Sequence, residues 1–231
     1  MNITKTIIAF SILMLSSLSA IGAPTNLVHN GSFELGHVDF TSDYFRNTIP
    51  YDGQYQIAKD PASLNGNFGS VGDHTTGTGN MFIGNGHSVA GKIVWESHSI
   101  SVLANTSYAF EAWAMNVCCK PSEAFPNPAS TNPASLRFDV VIGSTIDTLG
   151  YLDTNLNDGI WDLFRTNWSS ATNTSITLRI TDTNTEIQGN DFAIDDIRFL
   201  APVPEPETYA MLLVGLGLLG FMAFCRKEAI V

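Results

Sequence analysis

The feature that most constrains this chain is an alternation of apolar and polar side chains with a period of two residues. The alternation is clearest in Ser107–Met115, Leu136–Ile142 and Ile176–Thr181. A two-residue period places apolar side chains on one face of an extended strand, which is typical of half-buried antiparallel strands. Clusters of Gly and Asn separate the segments, and no helical stripe runs between them. The sequence therefore predicts an all-β fold, either a β-sandwich or a jelly roll.

Five further segments carry shorter patterns of the same kind and are also predicted as strands. These segments are Gln54–Ala58, Met81–Ile83, Ile93–Val102, Asp162–Trp168 and Phe192–Phe199. The segment 121–133 repeats Asn-Pro-Ala-Ser and is too rich in proline for a central strand. We expect it to be an exposed connection.

The part of the chain between the two apolar ends is acidic and has the length of a single domain. Residues 23–200 hold 8 Lys and Arg against 19 Asp and Glu, so this part carries the whole formal charge of −11. Its length suits one core and is short for two domains. The basic residues are scattered singly, which argues against a nucleic-acid partner because such surfaces cluster Lys and Arg.

The N-terminal apolar end has the layout of a secretory signal peptide. Lys5 precedes the apolar run Ile7–Leu18, and the small-residue segment Ser19–Ala23 follows it. A helical run of this length covers only about 18 Å of a hydrocarbon core about 30 Å thick, which is too short for a permanent anchor. We therefore expect residues 1–22 to form a signal helix that directs export.

Two of the three cysteines, Cys118 and Cys119, are adjacent in the exported part, and the third lies near the C-terminus. Neighbouring cysteines can form a disulfide with each other, pair with another chain or remain as thiols, and the sequence leaves these alternatives open. No other thiol or His stands at zinc-ligand spacing.

The C-terminal end combines a Pro-Glu-Pro segment, an apolar run and a basic pair in that order. The residues concerned are Val203, Pro204, Glu205 and Pro206, then Tyr209–Phe224, then Arg226 and Lys227. This order resembles the PEP-CTERM protein-sorting signal of Gram-negative bacteria, and the resemblance covers residues 201–231. It implies recognition by an exosortase in the inner membrane, cleavage near Pro-Glu-Pro, and delivery to the cell surface or to an exopolysaccharide biofilm matrix.

The apolar run 209–224 is predicted to form a short transmembrane helix. Sixteen helical residues span about 24 Å, which is less than the usual 20-residue anchor, so we expect a transient stay in the inner membrane. Arg226 and Lys227 then remain on the cytoplasmic side. A permanent C-terminal anchor is the alternative.

Two segments, Asn26–Glu34 and Gly189–Phe199, bracket the middle of the chain. Together they resemble the first and last strands of galactose-binding-like jelly rolls, the fold of many carbohydrate-binding modules. In that family a Glu of the first segment and an Asp of the second share a structural Ca²⁺ with backbone carbonyls. The resemblance implies Glu34, Asp195 and the carbonyl of Ser32 as calcium ligands.

Strand alternation gives an independent expectation for Asp195. The period of two predicts that Asp195 faces the core together with Ile197 and Phe199, while Asp196 and Arg198 face outward. An inward carboxylate is unfavourable unless it is paired or bound to a metal. The alternative is that Asp195 caps a turn or accepts hydrogen bonds from backbone amides.

Trp113 and Glu111 share the polar face of their predicted strand. An aromatic ring beside a carboxylate suits a sugar, because the ring stacks on the pyranose and the carboxylate accepts hydrogen bonds from hydroxyls. Packing of Trp113 in the core or at a sheet edge is the alternative.

The sequence offers no catalytic arrangement. It contains no nucleophile-elbow or zinc-protease motif, and its five His are dispersed. Asp195 and Asp196, predicted on opposite faces of one strand, cannot flank a single glycosidic bond. We therefore expect a non-catalytic, calcium-stabilised surface protein that binds polysaccharide. A purely structural surface or biofilm protein with no specific ligand is the alternative.

Overall fold

The structure, a computed structural model, describes residues 23–46, 51–119, 132–202 and 212–220. Each of the eight predicted strand segments contains a strand. The strands are β1 (Phe40–Thr41), β2 (Phe45–Arg46), β3 (Gln54–Ala58), β4 (Met81–Asn85), β5 (Lys92–Ser97), β6 (Ile100–Ser101), β7 (Ser107–Asn116), β8 (Ser135–Ile142), β9 (Thr145–Asp153), β10 (Asp162–Ser169), β11 (Ser175–Asp182) and β12 (Asp191–Leu200).

The strands form two six-stranded sheets. Sheet A has the order β10-β7-β12-β4-β3-β2, and sheet B has the order β1-β5-β11-β8-β9, with β6 beside β11. Neighbouring strands are antiparallel except for β2 and β3, which are parallel. The two sheets enclose one apolar core. The predicted all-β jelly-roll sandwich is therefore confirmed.

Aromatic side chains fill the space between the sheets. Phe110 of β7 is fully buried, and its ring meets that of Phe138 from β8 edge-on, with 5.7 Å between centroids. Phe138 in turn stacks on Phe164 of β10 at 3.8 Å. These residues occupy the apolar positions of the alternating segments, which explains why the alternation predicts the sandwich.

A second, smaller apolar cluster lies on the opposite face of sheet A. Met115 and Ala193 point to that face from β7 and β12, and Leu64 and Phe68 cover them from the connection between β3 and β4. Sheet A is therefore buried on both faces over part of its area. The remainder of its outer face, which is the side away from sheet B, carries charged side chains together with Trp113 and Leu163.

The segment that opens the unit pairs with the strand that closes it. Asn26 forms a β-bridge with Leu200, and the Asn26 Oδ1 accepts a hydrogen bond of 2.9 Å from the Phe199 N–H. The Ala201 N–H donates to the Thr25 carbonyl at 3.0 Å. The two bracketing segments of the sequence thus lie side by side.

In the Asn-Gly-x-Phe-Glu segment, the structure explains why Asn30, Gly31 and Phe33 are the residue types that they are. Asn30 organises the following loop, since its Nδ2 donates to the Gly36 and Val38 carbonyls at 3.0 Å. Gly31 packs so closely on β12 that a Cβ would overlap the carbonyl oxygen of Ile197. Phe33 is fully buried in the core. The segment therefore fixes the loop that carries Ser32 and Glu34 against the last strand.

Residues 24–202 form one compact unit. Outside it, residues 212–220 are helical. Among the described residues, no helix is both long and apolar enough to cross a membrane. The predicted signal helix at 1–22, the rest of the predicted helix at 209–224 and most of the proline-rich segment lie outside the described residues.

Candidate functional site

The loop 73–80, which leads into β4, is held in shape by its first residue. The buried carboxylate of Asp73 accepts hydrogen bonds from the backbone N–H groups of Thr76 at 2.8 Å and Gly79 at 2.5 Å. Burial acts to raise the pKa of Asp73, but these hydrogen bonds outweigh it and bring the pKa below its usual value. The loop is therefore a defined structure rather than a simple turn.

Asp195 holds the start of this loop. Its Oδ2 accepts hydrogen bonds from the His74 N–H at 2.9 Å and from the N–H and hydroxyl of Thr75 at 3.1 Å each. Its other oxygen, Oδ1, is buried and has no hydrogen-bond partner in the described structure. Burial raises the pKa of Asp195 to about 7, although the hydrogen bonds to its charged form oppose this.

The prediction that Asp195 faces the core is wrong, and a β-bulge is the reason. Asp195 pairs with Trp113, but the next pair along the ladder is Arg198 with Glu111, so β12 carries an additional residue between them. Asp196 has a φ of 50°, in the left-handed region. The bulge shifts the alternation by one residue.

As a result, Asp195 lies on the outer face of sheet A, while Ile194 and Ile197 both belong to the core. Asp195 is nevertheless fully buried, because the loop 73–80 covers it. Asp195 and Asp196 also lie on the same side of the sheet, since His74 contacts both. The prediction that they occupy opposite faces is therefore wrong as well.

Glu34 holds the other end of the same loop. Its Oε1 accepts a hydrogen bond of 2.8 Å from the Asn80 N–H, and its side chain is exposed. Ser32, two residues earlier, is half-buried. Glu34 and Asp195 thus act on one eight-residue loop. Over the described ranges, no three His, Cys, Asp or Glu side chains are arranged to hold a metal ion by themselves.

Trp113 and His74 stack on the outer face of sheet A. Their ring centroids are 4.0 Å apart with an interplanar angle of 18°, and Trp161 meets the His74 ring edge-on at 5.7 Å. The His74 Nδ1 lies 2.7 Å from the Asp196 Oδ2, which fixes the ring orientation. The sequence did not indicate His74, whose contacts join the loop 73–80 to the predicted ligand residue.

Glu111 lies on the same face as Trp113 and is paired with arginine. The Arg165 Nε is 3.1 Å from the Glu111 Oε1, and Arg198 lies opposite Glu111 on the neighbouring strand. Arg198 in turn donates to Asp196 at 2.8 Å. The outer face is thus a surface of aromatic rings and ion pairs.

Cys118 and Cys119 are joined as a disulfide, the first of the three alternatives. They directly follow β7 and are buried, and Cys118 forms a β-bridge with Phe68. The Asn116 side chain accepts a hydrogen bond of 2.9 Å from the Cys118 N–H. The disulfide is therefore part of the second apolar cluster's border.

Comparison with family models identifies the C-terminal segment. Residues 202–227 match the model described as the PEP-CTERM protein-sorting motif. The chain carries a PEP-CTERM sorting motif. The predicted motif residues fall inside the matched range and outside the described residues. They are Val203, Pro204, Glu205, Pro206, Arg226 and Lys227.

The unit that precedes the PEP-CTERM motif is similar in fold to several solved structures. A Stig cyclase, Fisc from Fischerella sp. TAU, has a TM-score of 0.51 and 11% identity over 79% of this chain and 100% of its own. TmCBM61 in complex with β-1,4-galactotriose has a TM-score of 0.48 and 12% identity over 77% of this chain and 99% of its own.

The Clostridium thermocellum xylanase 10B CBM22-1–GH10 modules, complexed with xylohexaose, have a TM-score of 0.48 and 14% identity over 78% of this chain. The chain spans only 29% of that protein. No curated protein matches the chain in sequence. At these identities the similarity extends to the fold.

Proposed function

We propose that this protein is exported by its signal peptide, residues 1–22, and held transiently in the inner membrane of a Gram-negative bacterium by a helix over residues 209–224. An exosortase then cuts near Pro-Glu-Pro and delivers the domain to the cell surface or an exopolysaccharide matrix. The match of residues 202–227 to the PEP-CTERM motif is the observation that carries this proposal. Arg226 and Lys227 mark the cytoplasmic end.

Substitution of Pro204, Glu205 and Pro206 by alanine is expected to leave the chain uncut and in the membrane fraction, with at least a tenfold loss of surface protein. The reason is that the exosortase reads this segment. The measurement is the mass and cell fraction of the protein in a host that encodes an exosortase. Ile230→Ala, which lies in the same tail but outside the matched range 202–227, is the control. Equal release of the triple variant and the control would contradict the proposal.

We further propose that the delivered jelly roll binds carbohydrate on the outer face of sheet A. The half-buried rings of Trp113 and Trp161, joined by the His74 ring that stacks on Trp113, form an aromatic surface for the apolar faces of sugars. Glu111 with Arg165 supplies acceptors and donors for their hydroxyls. Binding without catalysis is favoured because Glu111 is paired with Arg165, and Asp196 with Arg198 and His74. An arginine beside a carboxylate favours its charged form, which makes it a weak proton donor.

Trp113→Ala is expected to reduce retention of the full-length chain on immobilised glycan about tenfold, because the stacking surface is lost. Affinity electrophoresis with the producer's exopolysaccharide, xylohexaose and β-1,4-galactotriose measures the effect. Tyr151→Ala, which removes an exposed ring from β9 of the other sheet, is the control.

Loss of retention in Trp113→Ala alone supports the site. Equal retention of both variants contradicts it. If the unmodified chain is retained by no glycan, the carbohydrate proposal is wrong and the structural surface protein takes its place.

Calcium is the cofactor that we propose for this jelly roll, with Glu34, Asp195 and the Ser32 carbonyl as ligands. The fit rests on the Asp195 Oδ1, a buried carboxylate oxygen without a partner, which a hard cation would satisfy. Ser32 follows Gly31, whose backbone packs against Ile197 of β12, two residues after Asp195. When bound, Ca²⁺ supplies the positive charge that the buried carboxylate lacks.

The loop 73–80 connects the proposed calcium ligands to the outer face of sheet A. Asp195 fixes the start of the loop 73–80 and Glu34 fixes its end. That loop presents the His74 ring to Trp113. When Asp195 is held in place, the loop 73–80 therefore holds the His74 ring against Trp113.

A further inference from the structure

A cleft separate from Trp113 opens at the end of sheet A where three strands finish or begin. Asn85 is the last residue of β4, Asp191 is the first residue of β12, and the Cys118–Cys119 disulfide follows β7. Asp191 and Asn85 are directly paired in the ladder, so their side chains lie on the same face. The cleft has a volume of about 150 Å³.

The polar lining of the cleft matches hydroxyl groups. Asn67, Asn85 and Gln188 each offer an amide that both donates and accepts hydrogen bonds, while Asp52 and Asp191 offer acceptors. A sugar hydroxyl likewise donates and accepts, so such a mixed lining satisfies it in either role. None of the described residues that line the cleft is Lys or Arg.

Apolar groups complete the walls. Phe68, a member of the second apolar cluster, and the buried Cys118–Cys119 disulfide form part of the lining. A small cleft with an apolar wall and a few convergent polar groups is the usual form of a ligand site.

Asp191 is built into the cleft rather than placed on its rim. Its side chain is 4% exposed, and its Oδ1 accepts a hydrogen bond of 3.2 Å from the Gly86 N–H. Its backbone carbonyl accepts a hydrogen bond from the Val117 N–H, which ties it to the chain just before the disulfide. The carboxylate is therefore held at a fixed position in the floor of the cleft.

From this lining we infer that the cleft binds a single terminal sugar residue of a neutral glycan. Its volume is well below the roughly 300–1,000 Å³ of sites that enclose drug-sized ligands, which suits one sugar ring and not a chain segment. Two carboxylates, with no cation among the described lining residues, disfavour uronic acids and sulfated sugars. This inference deepens the proposed carbohydrate binding and rests on it.

The test uses the full-length chain in detergent and the variant Asn67→Ala/Gln188→Ala, two exposed amides on the cleft rim. Methyl β-galactoside, methyl β-glucoside and methyl β-xyloside, each alone, are the probes in a titration by ligand-observed NMR, with glucuronate as the anionic probe. The control is Asn167→Ala, an exposed amide at the opposite end of the β10–β7 pair.

We expect at least one neutral glycoside to bind the unmodified chain and the Asn167→Ala variant with equal affinity. The same glycoside should bind the double variant about tenfold more weakly, and glucuronate should bind none of the three. Glycoside binding that the double variant leaves unchanged, or glucuronate binding equal to that of the glycosides, would overturn the inference. Polysaccharide retention that depends on Trp113 while no glycoside binds also overturns it and leaves the proposed function standing. Absence of every form of glycan binding removes both.

Discussion

Calcium at a concentration about one hundred times its Kd is expected to raise the melting temperature of the full-length chain by about 5–10 °C. Saturation of this degree stabilises a folded protein by about 2.7 kcal/mol. In a unit of this size each kcal/mol shifts the melting temperature by roughly 2–4 °C. The physical origin is the Asp195 Oδ1, which is buried without a hydrogen-bond partner.

Asp195→Asn is expected to abolish the calcium response, because the amide keeps an acceptor for the His74 and Thr75 N–H groups but brings no charge. Asp153→Asn, on the exposed strand β9, removes one carboxylate elsewhere and controls for net charge. Differential scanning fluorimetry with calcium or with a chelator gives the comparison. A chelator that leaves the melting temperature of the unmodified chain unchanged would rule out the calcium site.

Asp191→Asn is expected to stabilise the chain at pH 8 and to have little effect at pH 4. Burial raises the pKa of Asp191 to about 7, and the nearby carboxylates of Asp52 and Asp182 add to this, while the hydrogen bond from Gly86 opposes it. The folded state therefore binds the proton more tightly than the unfolded chain. The contribution of Asp191 to the free energy of unfolding is therefore full below about pH 4, is lost as the pH rises from about 4 to 7, and levels off above 7.

The difference between the variant and the unmodified chain at pH 8 is on the order of 4 kcal/mol at most, since one pKa unit corresponds to about 1.4 kcal/mol. Urea unfolding between pH 4 and pH 9, in the presence of a chelator, measures the free energy of unfolding for both chains. Asp153→Asn again controls for net charge. An equal pH dependence in the variant and the unmodified chain would show that Asp191 does not carry this effect.

The strands that the sequence predicted are those whose apolar residues enter the core. Ser107–Met115 alternates cleanly because β7 packs one face against Phe138 and its neighbours. The strand β9 was not predicted. It lies at the edge of sheet B, and Ile146 and Tyr151 on it are largely exposed, so burial does not impose a pattern on its residues. Ile93–Val102 was predicted as one strand but divides into β5 and β6.

The position of Asp195 illustrates a different limit of the sequence. Alternation predicts which face a residue occupies only while the strand is regular. The bulge at Asp196 shifts the pattern, and no glycine or proline at that point of the sequence predicts it. The burial of Asp195 was expected, but the element that buries it was not. His74 lies 121 residues away in the chain and in a segment whose Gly and Thr residues indicated only a turn.

The placement of β12 has a consequence for how this protein reaches its destination. β12 is the last strand in the chain, yet it lies inside sheet A between β7 and β4 and pairs with the opening segment at Asn26. A chain that crosses a membrane from its N-terminus cannot complete this sheet until residue 200 has emerged. The sorting motif begins at residue 202, directly after the strand that closes the fold. If the tail is held in the bilayer as proposed above, the domain has time to insert β12 before release, whereas a chain released without β12 would leave β7 and β4 each lacking one of its two neighbours.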